Sequence, residues 1–343
     1  MSQIHILSDL LSAVPMPMLI VGHDERISAM NDPARAILGD GEGRLYLTVI
    51  RQPEPVSLLE RVLGGGAGGE VTWRVSSRGR DSVYRGKVAV VAGLGASLAF
   101  EDMSDLEHAV DMRRDFVANV SHELRTPLTA LMGFIETLQG AARDDAGARA
   151  RFLEIMSREA LRMNRLVADL LSLGHVEAEE RVRPSTLIDP LALVQAAVTT
   201  MSGQAAAMGV ELVLSADADL PRIRADMDQL TQVMNNLLEN GIKYGGGGGI
   251  VTVRLRVVDH DPALRGPALS IAVIDRGEGM DPIHIPRLTE RFYRVDGHRS
   301  RERGGTGLGL AIVKHILNRH RGRLLIESAR GQGSRFEVLI PLE

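Results

Sequence analysis

Two stretches of helical periodicity, at about 104–140 and 148–174 and joined by a short polar loop, restrict this chain more than any other feature. In the first, Phe116, Val120, Leu124, Leu128, Leu131, Ile135 and Leu138 recur at three- and four-residue steps as far as Gly140. That spacing puts them on one side of a helix. Ser104 and Glu107 have capping-box spacing, so the helix is expected to start there. In the second stretch Phe152, Met156, Met163, Leu166, Leu170 and Leu173 fall at four- and three-residue steps, allowing for Glu159 between the two methionines, and Gly174 is the expected stop. The loop with Asp144, Asp145 and Gly147 folds the pair into a hairpin. Its apolar seam is too broad for one partner helix, which predicts a homodimer closing into a four-helix bundle.

The flanks read differently. Before the hairpin, Met18–Val21 and Arg26–Ala29 read as strands around a turn at His23–Glu25, Asp32-Pro33 as a helix start, and Val71 to Phe100 as further strands after the flexible Gly64–Gly69 connection. After a linker around Pro184 and Pro190, strands alternate with helices at about 190–207, 226–243 and 307–320. Val251, Val253, Leu255 and Val257 alternate with Thr252, Arg254 and Arg256, one sheet face of a two-layer α/β sandwich. The expected fold class is multidomain α+β: a mixed α/β domain over 1–103, the hairpin over 104–178 and the sandwich over 179–343.

Charge and composition remove several functions. Forty Lys+Arg against 44 Asp+Glu leave −4, which argues against broad binding to nucleic acid or an anionic membrane. The absence of cysteine excludes disulfides, thiolate nucleophiles and cysteine-ligated metals. The longest apolar run, Val88 to Phe100, is shorter than the ~20 residues of a membrane helix, and Met1–His5 carries no secretory signal. A cytoplasmic protein is expected, membrane-associated only if the native protein has further N-terminal helices.

Four short segments carry chemistry. His122 lies two residues from both Val120 and Leu124, about 200° from the apolar stripe, so it faces solvent. An exposed histidine alone is ordinarily just solvated, but Glu123 can hold one ring nitrogen and leave the other nucleophilic, and Pro127 should bend the helix one turn further on. The second segment is Asn236-Leu-Leu-Glu-Asn240-Gly-Ile-Lys243-Tyr244. It sets two amides and an ammonium at i, i+4 and i+7, a polar stripe suited to Mg²⁺ and phosphate. In the third, Asp275 ends an apolar run before Gly277 and Gly279, where a buried carboxylate can accept from an exocyclic amine such as that of adenine. The fourth, Gly304-Gly305-Thr306-Gly307-Leu308-Gly309, leads into a helix whose first N–H groups suit phosphate oxygens. The long basic segment between the last two, with Arg291–Arg294 and Arg299–Arg303, reads as a lid over an anionic ligand.

In this order and spacing the four segments resemble those of two-component sensor histidine kinases over about 105–343, and the wording around His122 is most similar to phosphate-regulon sensor kinases. The first hundred residues resemble a PAS domain. The resemblance implies a nucleotide-binding sandwich of the histidine kinase and heat-shock ATPase type. It also implies that His122 is the phosphoacceptor, Glu123 its base, and Thr126 the residue positioning water in a phosphatase reaction. By the same resemblance Asn240, with Asn236 nearby, holds Mg²⁺, Lys243 meets phosphate, Tyr244 flanks the nucleotide and Asp275 reads adenine. Gly277 and Gly279, then Thr306, Gly307, Leu308 and Gly309, complete the ATP site. A receiver domain of a response regulator is the implied partner. Related ATPases carry a glutamate where Asn236 stands, which favours transfer to histidine over hydrolysis. Gly241 replaces the family's usual alanine, and Gly245–Gly249 form a glycine tract.

Overall fold

A computed structural model describes residues 9–77, 80–295 and 305–342. Two compact units, Met1–Ala118 and Asn119–Glu343, divide the chain within its first long helix.

The first unit is a five-stranded antiparallel sheet. Strands β1 (Met18–Gly22), β2 (Ile27–Met30), β3 (Gly69–Ser77), β4 (Arg80–Val91) and β5 (Gly95–Asp102) lie in the order β2-β1-β5-β4-β3. Helices α1 (Asp32–Leu38), α2 (Tyr46–Val49) and α3 (Pro53–Leu63) fill the connection from β2 to β3. Alternate strand residues Leu19, Val21, Trp73, Leu98 and Phe100 bury one sheet face against Leu58, Leu59 and Val62 of α3. The start of α1 falls where the proline predicts, but Asn31 caps it. The buried amide oxygen accepts from the N–H groups of Met18 at 2.9 Å and Ala34 at 3.1 Å, while its NH₂ donates to the carbonyls of Leu11, Val14 and Met16. Every polar atom of that buried side chain is satisfied.

Helix α4 (Ser104–Gln139) follows β5 almost directly. The predicted capping box does not form: the Ser104 hydroxyl binds the Asp102 carboxylate and accepts from the Val83 N–H at 2.9 Å, so it is spent on the sheet. Helix α5 (Ala146–Glu179) completes the hairpin, with Asp145 as its N-cap and Phe134 of α4 against Phe152 at 5.3 Å. Gly174 does not stop α5. Its missing side chain faces open space, and the helix continues because Leu173 and Val176 on either side are buried. An interior glycine costs only about 1 kcal/mol, less than burying those two side chains returns. Leu128, Met132, Leu153, Leu161 and Leu171 remain exposed along the hairpin.

The rest of the second unit is an α/β sandwich. Strands β7 (Glu211–Ala216), β9 (Ile250–Asp261), β10 (Gly266–Asp275), β11 (Arg323–Ala329) and β12 (Gly333–Pro341) form a sheet in the order β11-β12-β10-β9-β7, all antiparallel except β7 with β9. The short pair β6 (Leu187–Ile188) and β8 (Ile223–Arg224) lies apart from it. Val273 pairs with Val253 on one side and Phe336 on the other, a row facing helices α6 (Pro190–Ala207), α7 (Met227–Gly245) and α8 (Gly309–Arg319). Leu237, Leu238, Ile242, Ile312 and Ile316 meet that face fully buried. Gly241 and Gly245 let α7 press close on the sheet: a methyl on the first would stand 3.1 Å from Val251, and one on the second 2.3 Å from Asp275.

The opposite sheet face holds one buried charge. Glu337 accepts from the Ser270 hydroxyl, from Arg335 at 2.8 Å and from Arg256 at 3.2 Å. Burial alone would raise its pKa, but these three donors outweigh it and hold the carboxyl below its ordinary value. A depressed folded-state pKa contributes stability above the unfolded value, and that stability is lost as pH falls through the folded one. Melting temperature should therefore fall on acidification from about pH 5 toward pH 3, and Glu337→Gln should flatten this limb; a parallel fall in both proteins would contradict the assignment.

Candidate nucleotide and phosphoacceptor site

Helix α7 is amphipathic: Leu230, Met234, Leu237 and Leu238 go into the core, which leaves Asn236, Asn240 and Lys243 on its flank. That flank forms one wall of a cavity of about 290 Å³. Asn236 donates to the Gly309 carbonyl at 3.4 Å, tying α7 to the start of α8. Lys243 pairs with Glu239 at 2.5 Å, and Tyr244 lies half exposed at the rim.

Asp275 ends β10 on the cavity floor and is 6% exposed. Burial pushes its carboxyl above the ordinary range, against the N–H groups of Gly277 at 2.9 Å and Ser334 at 3.2 Å, which favour the charged form. Both glycines after it are required by the chain itself. A Cβ on Gly277 would stand 2.4 Å from the Tyr244 carbonyl oxygen. One on Gly279, whose φ is +60°, would stand 2.0 Å from that of Ala329.

The glycine loop forms the facing wall. Thr306, Gly307 and Gly309 line the cavity, and the open N-terminus of α8 follows. The Thr306 hydroxyl donates to Asp169 of α5 at 2.7 Å and accepts from the Leu308 N–H at 3.3 Å. Asp169 is raised above the ordinary carboxylate range, first by burial and then by Glu239, against the pull of Thr306. The wall thus includes a carboxylate from the hairpin, and Arg165 of α5 lines it too, 3.8 Å from Glu239.

The phosphoacceptor segment lies on α4, which runs on through Pro127. His122 is exposed, as its phase predicts, and Thr126 donates to the His122 carbonyl at 3.1 Å. Glu123 does not hold the imidazole. Its carboxylate is bound by Arg162 of α5 at 3.1 Å and by Arg294 at 3.3 Å. Arg294 also lines the cavity, so it links the acid beside His122 to the nucleotide wall.

The structure thus gathers Asn236, Asn240, Lys243, Tyr244, Asp275, Gly279, Thr306, Gly307 and Gly309 around one cavity. Gly277 lies behind its lining. The Leu308 side chain is fully buried in the core, so only its backbone belongs to the phosphate loop. Sequence reasoning missed Glu239, Asp169 and Arg165; the basic stretch 291–294 was the one visible signal for Arg294. Of the expected lid, residues 282–287 form a 3₁₀ turn, and Tyr293 takes His284 at 2.7 Å and the Arg287 guanidinium over its ring at 4.3 Å. Arg299–Arg303 and Gly304 lie outside the described residues.

The donor set suits Mg²⁺. The Asn240 and Asn236 amide oxygens and the Glu239 carboxylate are hard oxygen donors along one wall. Mg²⁺ normally takes the rest of its shell from water and phosphate, so a few such oxygens suffice.

Comparison with known proteins agrees with this geometry. Residues 225–343 match the model of the histidine kinase-, DNA gyrase B-, and HSP90-like ATPases, and residues 112–179 match the His Kinase A (phospho-acceptor) domain. An ATPase-type lobe and a phosphoacceptor hairpin therefore stand on one chain. The phosphate regulon sensor protein PhoR of Pseudomonas aeruginosa is 42% identical over 236 residues, 68% of this chain and 51% of that protein. The sensor-like histidine kinase SenX3 of Mycolicibacterium smegmatis is 36% identical over 273 residues, 78% of this chain and 68% of that one. The chain belongs to the sensor histidine kinases. It spans about half the length of several curated relatives it matches. The crystal structure of histidine kinase ThkA in complex with response regulator protein TrrA shares the fold, with a TM-score of 0.54 and 20% identity over 97% of each chain. Among the described residues no helix is long and apolar enough to cross a membrane.

Proposed function

We propose that this chain is an ATP-dependent histidine kinase that phosphorylates His122. One observation carries the reading: a cavity walled by Asn236, Asn240 and Lys243, floored by a buried carboxylate and closed by a glycine loop at a helix N-terminus shares a unit with an exposed histidine. Asp275 accepts from the adenine amine and Tyr244 flanks the base. The Thr306–Gly309 backbone and Lys243 take the phosphates. Asn240, with Asn236, holds Mg²⁺, which supplies charge neutralisation on the triphosphate. An imidazole nitrogen of His122 forms a bond to the γ-phosphorus in line as the bond to the ADP oxygen breaks. Glu123 takes the ring proton once Arg294 leaves it for the phosphates. Positioning and charge supply most of the rate.

The exposed apolar residues of the hairpin support dimerisation into a four-helix bundle. The phosphoryl group then passes to an aspartate of a response-regulator receiver domain docked on that bundle. Thr126 positions water when the regulator is dephosphorylated. We assign residues 1–103 to a PAS-like sensor domain, a reading supported by the β2-β1-β5-β4-β3 order, 104–178 to dimerisation and phosphotransfer, and 179–343 to ATP binding. The likeness to PhoR supports a role in phosphate regulation, with the reaction in the cytoplasm, where ATP is.

Incubation with γ-labelled ATP is expected to give acid-labile, alkali-stable label on the chain, absent from His122→Gln. Label that persists in that variant would defeat the assignment. Nucleotide bound without any label would mark a signalling scaffold, and free phosphate from an unlabelled chain a simple ATPase.

A further inference from the structure

His320 is a buried titratable group that the mechanism leaves unused. It lies at the C-terminal end of α8, 1% exposed. Its Nδ1 is 2.7 Å from the Ile316 carbonyl, which can only accept, so Nδ1 carries the proton. Its Nε2 is then an acceptor, and the Asp226 N–H donates to it at 3.0 Å. Asp226 immediately precedes α7. Its Oδ1 caps that helix, accepting from the N–H groups of Asp228 and Gln229, each at 3.1 Å, and its Oδ2 pairs with Arg319 of α8 at 3.1 Å.

The last turn of the glycine-loop helix is therefore fastened to the first turn of the asparagine helix. At their other crossing, Asn236 reaches the Gly309 carbonyl. Those two helices carry the two facing walls of the cavity.

We propose that His320, as a neutral imidazole, is a positioning residue that sets the register of α8 against α7 and so the placement of Thr306–Gly309 opposite Asn236–Lys243. The inference rests on the nucleotide reading of the cavity. A second ring proton would aim an N–H at the Asp226 N–H and break the fastening. The charged groups facing the ring are Arg319 of α8, Asp226 before α7 and Arg183 in the segment after α5. Burial holds the imidazole below its ordinary value; Arg319 and Arg183 act in the same direction, while the Ile316 carbonyl and Asp226 oppose it. The neutral ring thus persists through neutral pH and is lost below the ordinary histidine range.

The test is binding of the fluorescent analogue trinitrophenyl-ATP to the full chain, measured from about pH 5 to 8 alongside melting temperature. In His320→Gln the amide oxygen can accept from Asp226 and does not titrate; in His320→Leu the Asp226 N–H loses its acceptor. At pH above neutrality the leucine variant should bind roughly tenfold more weakly and the glutamine variant within about twofold of wild type. Wild-type affinity should fall on acidification more than that of His320→Gln. A leucine variant that loses thermal stability but binds as wild type overturns the inference. Should it fail to fold, the pH profiles decide, and identical wild-type and glutamine curves overturn it. A wild-type chain that binds no analogue overturns the nucleotide reading, and this inference falls with it.

Discussion

Asn240→Ala is expected to lower labelling from γ-labelled ATP by at least about a hundredfold while leaving the melting temperature within a few degrees of wild type. The side chain stands on the flank of α7, partly exposed to the cavity, and no core packing depends on it. Alanine is the best helix former, so α7 itself gains rather than loses. What disappears is the amide oxygen assigned to Mg²⁺, and the Lys243 ammonium on the same flank already pairs with Glu239. Unneutralised charge on the transferring group raises the barrier, and losses of this size follow removal of a single preorganised group. Labelling kinetics at saturating Mg²⁺ check the expectation. Wild-type rates in the variant would move the metal site elsewhere.

Gly279→Ala should damage fold and site together. At φ +60° an alanine costs about 1–2 kcal/mol on backbone conformation alone. Its methyl would also stand 2.0 Å from the Ala329 oxygen and 2.9 Å from that of Gly333. Both are backbone atoms, so no rotamer change relieves the contact, and the β11–β12 turn must move. Ser334, at the start of β12 just after that turn, donates to Asp275, so the cavity floor moves with it. A loss of about 3 kcal/mol or more is expected, with nucleotide affinity falling in parallel. Calorimetry and analogue binding measure the two effects, and a variant unchanged in both would show that this close approach is not what the glycine serves.

The nucleotide wall was legible in the sequence because its signals are local. Asn236, Asn240 and Lys243 declare their shared face by spacing within one helix, and the glycine loop announces the α8 N-terminus beside it. The sheet faces were legible for the same reason, since Val251, Val253 and Leu255 alternate within one strand. What failed depended on distant residues. Nothing near Glu123 shows that Arg294, 171 positions away, takes its carboxylate, or that Asp169 closes the phosphate wall against Thr306. The stop at Gly174 misjudged a small local cost against burial of Val176, and the Ser104 cap was lost to a strand that local spacing does not reveal. Leu308 reads as part of a phosphate loop by position, while its side chain serves the core.

The central claim is that phosphate from ATP comes to rest on one imidazole. Proteolysis of the labelled chain under alkaline conditions, followed by mass spectrometry of the phosphopeptides, locates it. The account predicts one phosphoramidate-bearing peptide, spanning His122; label on another residue, or a chain that binds ATP and carries none, would contradict it.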